Sequence, residues 1–157
     1  MIRKAEEKDL DRIEELLLQI HDIHSTGRPD IFIEGGVKYT RNDLSFLLED
    51  YNRPIFVYAD DETDEVLGYA FCMYDFNKET TSFHARKSMY IDDLCVAEEH
   101  RGKGIGTALY EFVCEIAKKR NCVSVTLHVW DCNNEAYGFY EKMGMKPLYT
   151  SLEKTID

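Results

Sequence analysis

The sequence predicts an α+β fold: a mixed central sheet of about six to seven strands flanked by about four helices, in the order β-α-α-β-β-β-α-β-α-β. Three observations predict it. Residues 7–24 carry helical periodicity, with Leu10, Ile13, Leu17, Ile20 and His24 on one face and Asp11, Glu14, Glu15 and Gln19 on the other. Residues 54–59 and 66–74 are two β-rich runs around the polar turn Asp60-Asp61-Glu62-Thr63-Asp64, the pattern of an antiparallel hairpin. Farther on, an apolar strand passes through a glycine-rich loop into an amphipathic helix and then into another strand, which makes a strand–helix–strand unit.

Taken in order, residues 1–5 form a first strand, and the helix over 7–24 can close at Gly27 before Arg28-Pro29-Asp30 breaks the chain. A loop through Gly35-Gly36 leads to a second helix. There Thr40 and Asp43 have capping-box spacing, and Leu44, Leu47, Leu48 and Tyr51 supply the apolar face. After the hairpin and a polar turn over 77–82, residues 87–96 form a strand. Ile105, Ala108, Leu109, Phe112, Val113, Ile116 and Ala117 then recur with helical period. Residues 123–130 form a strand with Val125, Leu127 and Val129 on one face and Thr126, His128 and Trp130 on the other. Asn133 caps a last helix that Gly144 ends, and residues 146–154 add a final strand.

At 157 residues the chain reads as one domain, residues 1–157. No apolar run approaches the ~20 residues of a membrane span, and the N-terminus has no signal-peptide core, so a cytoplasmic protein without membrane contact is expected. Cys72, Cys95, Cys114, Cys122 and Cys132 are odd in number and include no Cys-x-x-Cys, which fits reduced thiols better than a disulfide framework or zinc site. Net charge is −11, and residues 1–97 hold −10 of it, whereas residues 98–146 are balanced. Such a surface disfavours nucleic acid as a partner and attracts cationic amines, although solubility alone accounts for acidic excess equally well.

The helix after position 104 lacks the side-chain cap that its unpartnered N–H groups call for. Arg101, Gly102, Lys103, Gly104, Ile105, Gly106 and Thr107 offer glycines and cations instead. Bare N–H groups at the positive end of a helix dipole form an anion site, and the anion completes the cap. The loop is no P-loop, because no Gly-Lys-Ser/Thr follows four spacer residues. Thr107 also stands where a dinucleotide fingerprint would need its third glycine. The spacing Arg101-x-x-Gly104-x-Gly106 resembles the pyrophosphate loop of the GNAT superfamily, the acetyl-CoA-dependent N-acetyltransferases. Asn133-x-x-Ala136-x-x-x-Tyr140-x-x-x-Gly144-Met145 is similar to a second block of that family, and the pair covers roughly the last 70 residues.

That resemblance implies acetyl-CoA as cofactor, no metal, and an amine acceptor. It implies that residues 102–107 hold the pyrophosphate, with charge from Arg101 and Lys103. The strand at Leu94, Cys95 and Val96 is implied to splay from the strand at 125–130 and to offer main-chain N–H groups to the pantetheine arm, with Asn133 assisting. Tyr140, seven residues after Asn133, stands where the family has the acid that protonates the departing thiolate. A phenol near pKa 10 is a fair match to a thiol of about 8.5. The segment between the first two helices is implied to cover the acceptor, which makes Phe32 a substrate contact.

The base stays open between Asp92, Asp93, His128 and water. Tyr90-Ile91-Asp92-Asp93-Leu94-Cys95-Val96 is similar to the equivalent strand of spermidine/spermine acetyltransferases, which puts Asp92 at the base position and Asp93 at an amine-binding one. Strand alternation sends adjacent side chains to opposite faces, so both roles together require a bulge. His128 is the rival base by its intrinsic pKa near 6.5. His21-Asp22-x-His24 is rejected as a metal site for want of companions. A covalent acetyl-cysteine at Cys132 ranks low because no histidine neighbours it in sequence. The expected partner is a small-molecule or peptide amine, with a homodimer through the terminal strand left open. A protein N-terminal or lysine acetyltransferase is the alternative within enzymes, and a non-catalytic acyl-CoA sensor is the alternative outside them.

Overall fold

The computed structural model describes residues 1–157. The elements are β1 (Ile2–Lys4), α1 (Leu10–Gly27), α2 (Arg41–Leu48), β2 (Ile55–Ala59), β3 (Val66–Asn77), β4 (Arg86–Val96), α3 (Ile105–Lys119), β5 (Ser124–Leu127) and α4 (Asn134–Lys142). The five strands form one sheet in sequence order. β1 to β4 run antiparallel, and β5 joins β4 in parallel because α3 carries the chain back across the sheet. The α+β class and the mixed sheet are those the sequence predicts.

Both faces of the sheet are covered. Val57, Tyr69 and Phe71 pack with Leu10, Ile13 and Leu17 of α1 and Leu44 of α2. The alternate residues Phe56, Ala70 and Cys72 pack with Leu109, Val113 and Ala117 of α3. Strands buried on both faces therefore read as continuous apolar runs rather than alternating ones.

Several boundaries differ from expectation. α1 begins at Leu10 and not at residue 7, because Glu7–Asp9 form a 3-10 turn. Asp9, only 3% exposed, accepts the Glu6 N–H at 2.8 Å and both arms of the Arg3 guanidinium at 2.7 and 2.9 Å. Those bonds hold the carboxylate in a tight turn. α1 also runs three residues past His24. Its final Gly27 is demanded by close packing, since a Cβ there would fall 2.7 Å from the Cys132 sulfur. The α2 capping box forms as expected, with Thr40 Oγ1 accepting from Asp43 N at 3.2 Å and Asp43 accepting from Thr40 N at 2.9 Å.

The sheet has five strands where about six to seven are expected. The strand expected over 123–130 is confined to Ser124–Leu127, and the one expected over 146–154 does not form. Pro147 removes one ladder donor, and Leu148 and Leu152 are 71% and 91% exposed, so this segment has no second face to bury. It is tethered instead by its side chains, Tyr149 to His128 and Glu153 to Arg28.

Candidate functional site

The site begins at a register break. Phe71 of β3 pairs with Asp93, but Cys72 pairs with Ile91, so Asp92 is an extra residue in β4. A bulge of this kind re-aims side chains locally. Ile91 and Leu94 both join the cluster on the α3 face. Asp92 and Asp93 both turn to the face covered by α1 and α2, where their hydroxyl partners Tyr39 and Tyr69 pack. The bulge that adjacent acids would need to share a face is present.

The two carboxylates have different surroundings. Asp92 accepts the Tyr39 hydroxyl and, at 3.0 Å, the Lys38 ammonium, which also reaches the Asp92 carbonyl oxygen at 2.9 Å. Tyr39 is fixed in turn by stacking on Phe71, with centroids 5.3 Å apart. Asp93 has one short bond, from the hydroxyl of fully buried Tyr69 at 3.0 Å. Loss of hydration pushes the Asp93 carboxyl up to about 6, against the opposing pull of Lys38 and the Tyr69 bond. Asp93 therefore changes charge just below neutral pH while Asp92 is committed to an ion pair.

The same bulge ends the pairing of β4 with β5. The parallel ladder stops at Ile91 opposite Leu127, so Leu94, Cys95 and Val96 have only β3 as a neighbour. This is the splaying of two strands that the sequence resemblance implies. Gln19 of α1 fastens the end of β4, donating to the Val96 carbonyl at 3.0 Å and accepting from Glu98 N at 2.9 Å. Burial pushes the Cys95 thiol up to about 12, with the Asp93 charge adding to the rise, so it stays protonated.

The glycine corner follows. Gly104 is the N-cap of α3 in the left-handed region, φ 81°, and no side chain caps the helix. The N–H groups of Gly104, Ile105, Gly106 and Thr107 donate to no atom of the protein. A Cβ at Gly102 or Gly104 would meet nothing within 4 Å, so a ligand can reach the backbone there. Lys103 and His100 side chains meet at 3.1 Å, and Arg101 stands 3.9 Å from Glu135. Main-chain donors, a helix dipole and two cations suit a diphosphate.

α4 lies over this corner, with Phe139 about 3.5 Å from where a Gly106 side chain would begin. Asn133 caps α4, accepting from Ala136 N at 3.2 Å, and is buried. Tyr140 sits beside Phe139 and Tyr110, with centroids at 5.2 and 6.5 Å. Burial, then the Asp93 charge, holds its phenol well above the ordinary value, so it stays protonated and is a weaker acid than a free phenol.

The remaining predicted residues, Phe32 and His128, lie in two separate aromatic groups. Phe32 stacks on His24 at 5.1 Å and meets Trp130 edge-on at 4.9 Å. His128 is exposed, and its two ring nitrogens face the hydroxyls of Tyr90 at 3.3 Å and Tyr149 at 3.1 Å. His21 bonds the Ile33 carbonyl at 2.6 Å. Sequence reasoning missed Gln19, Lys38, Tyr39 and Tyr69. Only Tyr69 gives any sign, as a phenol in an otherwise apolar strand.

Comparison with known proteins places this geometry. The sequence profile of the acetyltransferase (GNAT) family matches residues 17–145. Thialysine N-epsilon-acetyltransferase of Bos taurus is 32% identical over 83 residues, 53% of this chain and 46% of that protein. L-ornithine N5-acetyltransferase of Arabidopsis thaliana is 34% identical over 123 residues, 77% of this chain and 50% of that one. The chain thus spans about half the length of these curated relatives. A crystal structure from Bacillus halodurans superposes with a TM-score of 0.95 at 27% identity, over 99% of each chain.

Proposed function

Because the chain belongs to the acetyltransferase (GNAT) family, we propose that it transfers an acetyl group from acetyl-CoA to a primary amine by direct attack in a ternary complex. One observation carries this reading. The bulge at Asp92 turns two carboxylates to one face of β4, at the point where β5 parts from it and just ahead of a helix start with bare N–H groups. An amine site and a diphosphate site are thereby joined by one strand. The relatives' amine substrates support the acceptor class, and five unpaired cysteines support a reducing compartment such as the cytoplasm.

Residues 102–107 with Arg101 and Lys103 would hold the diphosphate, and Leu94, Cys95, Val96 and Asn133 the pantetheine arm. Bound there, acetyl-CoA supplies the activated carbonyl that the amine attacks. An alkylammonium near pKa 10 must lose a proton first. Asp93, ionised at neutral pH yet weakly hydrated, is the acceptor for that proton, directly or through water. Asp92, held by Lys38 and Tyr39, orients the ammonium. This exchanges the two carboxylate roles implied by the resemblance, because desolvation acts on Asp93 while Asp92 is tied up in bonds. Tyr140 donates the proton that the leaving thiolate needs and is reprotonated by the second proton that the acylated nitrogen sheds.

The test is release of free CoA from acetyl-CoA across a panel of small amines and peptides, with Tyr140→Phe beside the wild type. Turnover with an amine, lost in the variant while CoA affinity persists, supports the proposal. Tight CoA binding without turnover on any amine points to a sensor and defeats it.

A further inference from the structure

Resting on that reading, we propose that the acceptor carries an anionic group, a carboxylate or a phosphate, as well as its amine, and that Arg53 receives it. Arg53 stands just before β2, half-buried, in a chain with 30 acidic residues. Arg3, Arg12, Arg28 and Arg41 each fork onto carboxylates. The guanidinium of Arg53 makes no ion pair: its one side-chain hydrogen bond goes to the Tyr39 hydroxyl at 3.0 Å, and it rests 5.8 Å from the centroid of that ring. A guanidinium has five N–H donors, and a partly desolvated one without an anion is costly.

Arg53 borders an open groove of about 340 Å³ that it shares with Lys38, Tyr39, Phe46, Asp43 and Asp50. This is room for a small metabolite. The other charges around it are already engaged. Asp43 closes the start of α2 through Thr40 N at 2.9 Å, Asp50 accepts from Asn52 N at 2.9 Å, and Lys38 is paired with Asp92. Asp43 and Asp50 keep their negative charge in those main-chain bonds, and Arg53 is the cation there without a carboxylate partner; its planar fork matches carboxylate and phosphate oxygens.

The groove is coupled to the proposed amine site through one atom. The Tyr39 hydroxyl donates to Asp92 and accepts from Arg53. A cationic amine at the carboxylates and an anion at Arg53 would therefore sit on two sides of a single phenol. The matching acceptors are short molecules bearing both charges, such as an amino acid with a side-chain amine or a phosphorylated amino sugar.

The experiment compares kcat/KM with acetyl-CoA for two matched pairs, L-lysine against cadaverine and glucosamine 6-phosphate against glucosamine, in the wild type, Arg53→Gln and Arg53→Lys. The wild type should prefer the anionic member of at least one pair by tenfold or more, and the pair that shows it identifies carboxylate or phosphate. Arg53→Gln should lower that preference tenfold to a hundredfold through KM, with Arg53→Lys restoring part of it. Equal use of both members of each pair overturns the inference while leaving the acetyltransferase reading intact, and so does a preference that survives Arg53→Gln at an unchanged melting temperature. Should no amine elicit CoA release, both fall together. If Arg53→Gln does not fold, Arg53→Lys carries the comparison, and a preference that this variant leaves unchanged overturns the role of Arg53.

Discussion

The glycine corner before α3 presents main-chain donors from one continuous stretch, whereas the proposed amine side of the site draws its side chains from distant segments. At the corner, the donors are the N–H groups of a left-handed Gly104 and of the residues that follow it, and Arg101 and Lys103 add only charge. On the amine side, Asp92, Asp93, Tyr39, Tyr69 and Lys38 must converge from β4, β3 and the segment before α2. Backbone sites tolerate side-chain change and fail when the backbone is forced. Side-chain sites fail by loss of single atoms.

Asp93→Asn should break the comparison most sharply. Removing the proton acceptor is expected to lower kcat/KM by about 10²–10⁴ while acetyl-CoA affinity, measured by calorimetry, stays within a few-fold. The wild-type kcat/KM should rise with pH through about 6, and the variant should lack that limb. Stability runs the other way. The folded carboxyl titrates at about 6 and the unfolded one near 3.9, so between those values the folded state holds the extra proton. Unfolding free energy therefore falls as pH rises through that window. Above it the variant should be the more stable protein by about 2–3 kcal/mol, read from urea melts at pH 7 and compared with pH 4.

Tyr140→Phe should come next, with kcat down about a hundredfold and the loss relieved for acyl donors whose leaving thiol has a lower pKa. A matching loss of CoA affinity would contradict its role as an acid. Gly104→Ala should act on the other half alone. Its φ of 81° costs a Cβ-bearing residue roughly 1–2 kcal/mol, so the free corner should relax out of that geometry; CoA, which must restore it, should bind about tenfold more weakly, with acceptor preference unchanged. The smallest effect belongs to Tyr39→Phe. It removes the bond to Asp92 and should raise acceptor KM several-fold at a stability cost of about 1 kcal/mol.

The fold was legible where periodicity is strong. The hairpin of β2 and β3, the capping box at Thr40 and the helix after Gly104 all follow from local pattern. A strand is expected over 146–154 and none forms: local sequence does not say whether a segment finds a partner to pair with and a face to bury. Of the site, the corner and the positions of Asn133 and Tyr140 could be marked by spacing. Lys38, Tyr39 and Gln19 could not, since a surface lysine, a helix-flanking tyrosine and a polar-face glutamine carry no sequence signal of what they will touch.

The sequence by itself determined the α+β class and the uncapped helix start, because both depend on residues within a few positions of one another. Only the tertiary structure decided that Asp92 bulges out of register, that the two acids therefore share a face, and that desolvation raises the Asp93 carboxyl. Those outcomes depend on how β3 pairs with β4 and on what α1 and α2 lay over them, and hydration at a carboxylate is set by every segment that packs against it.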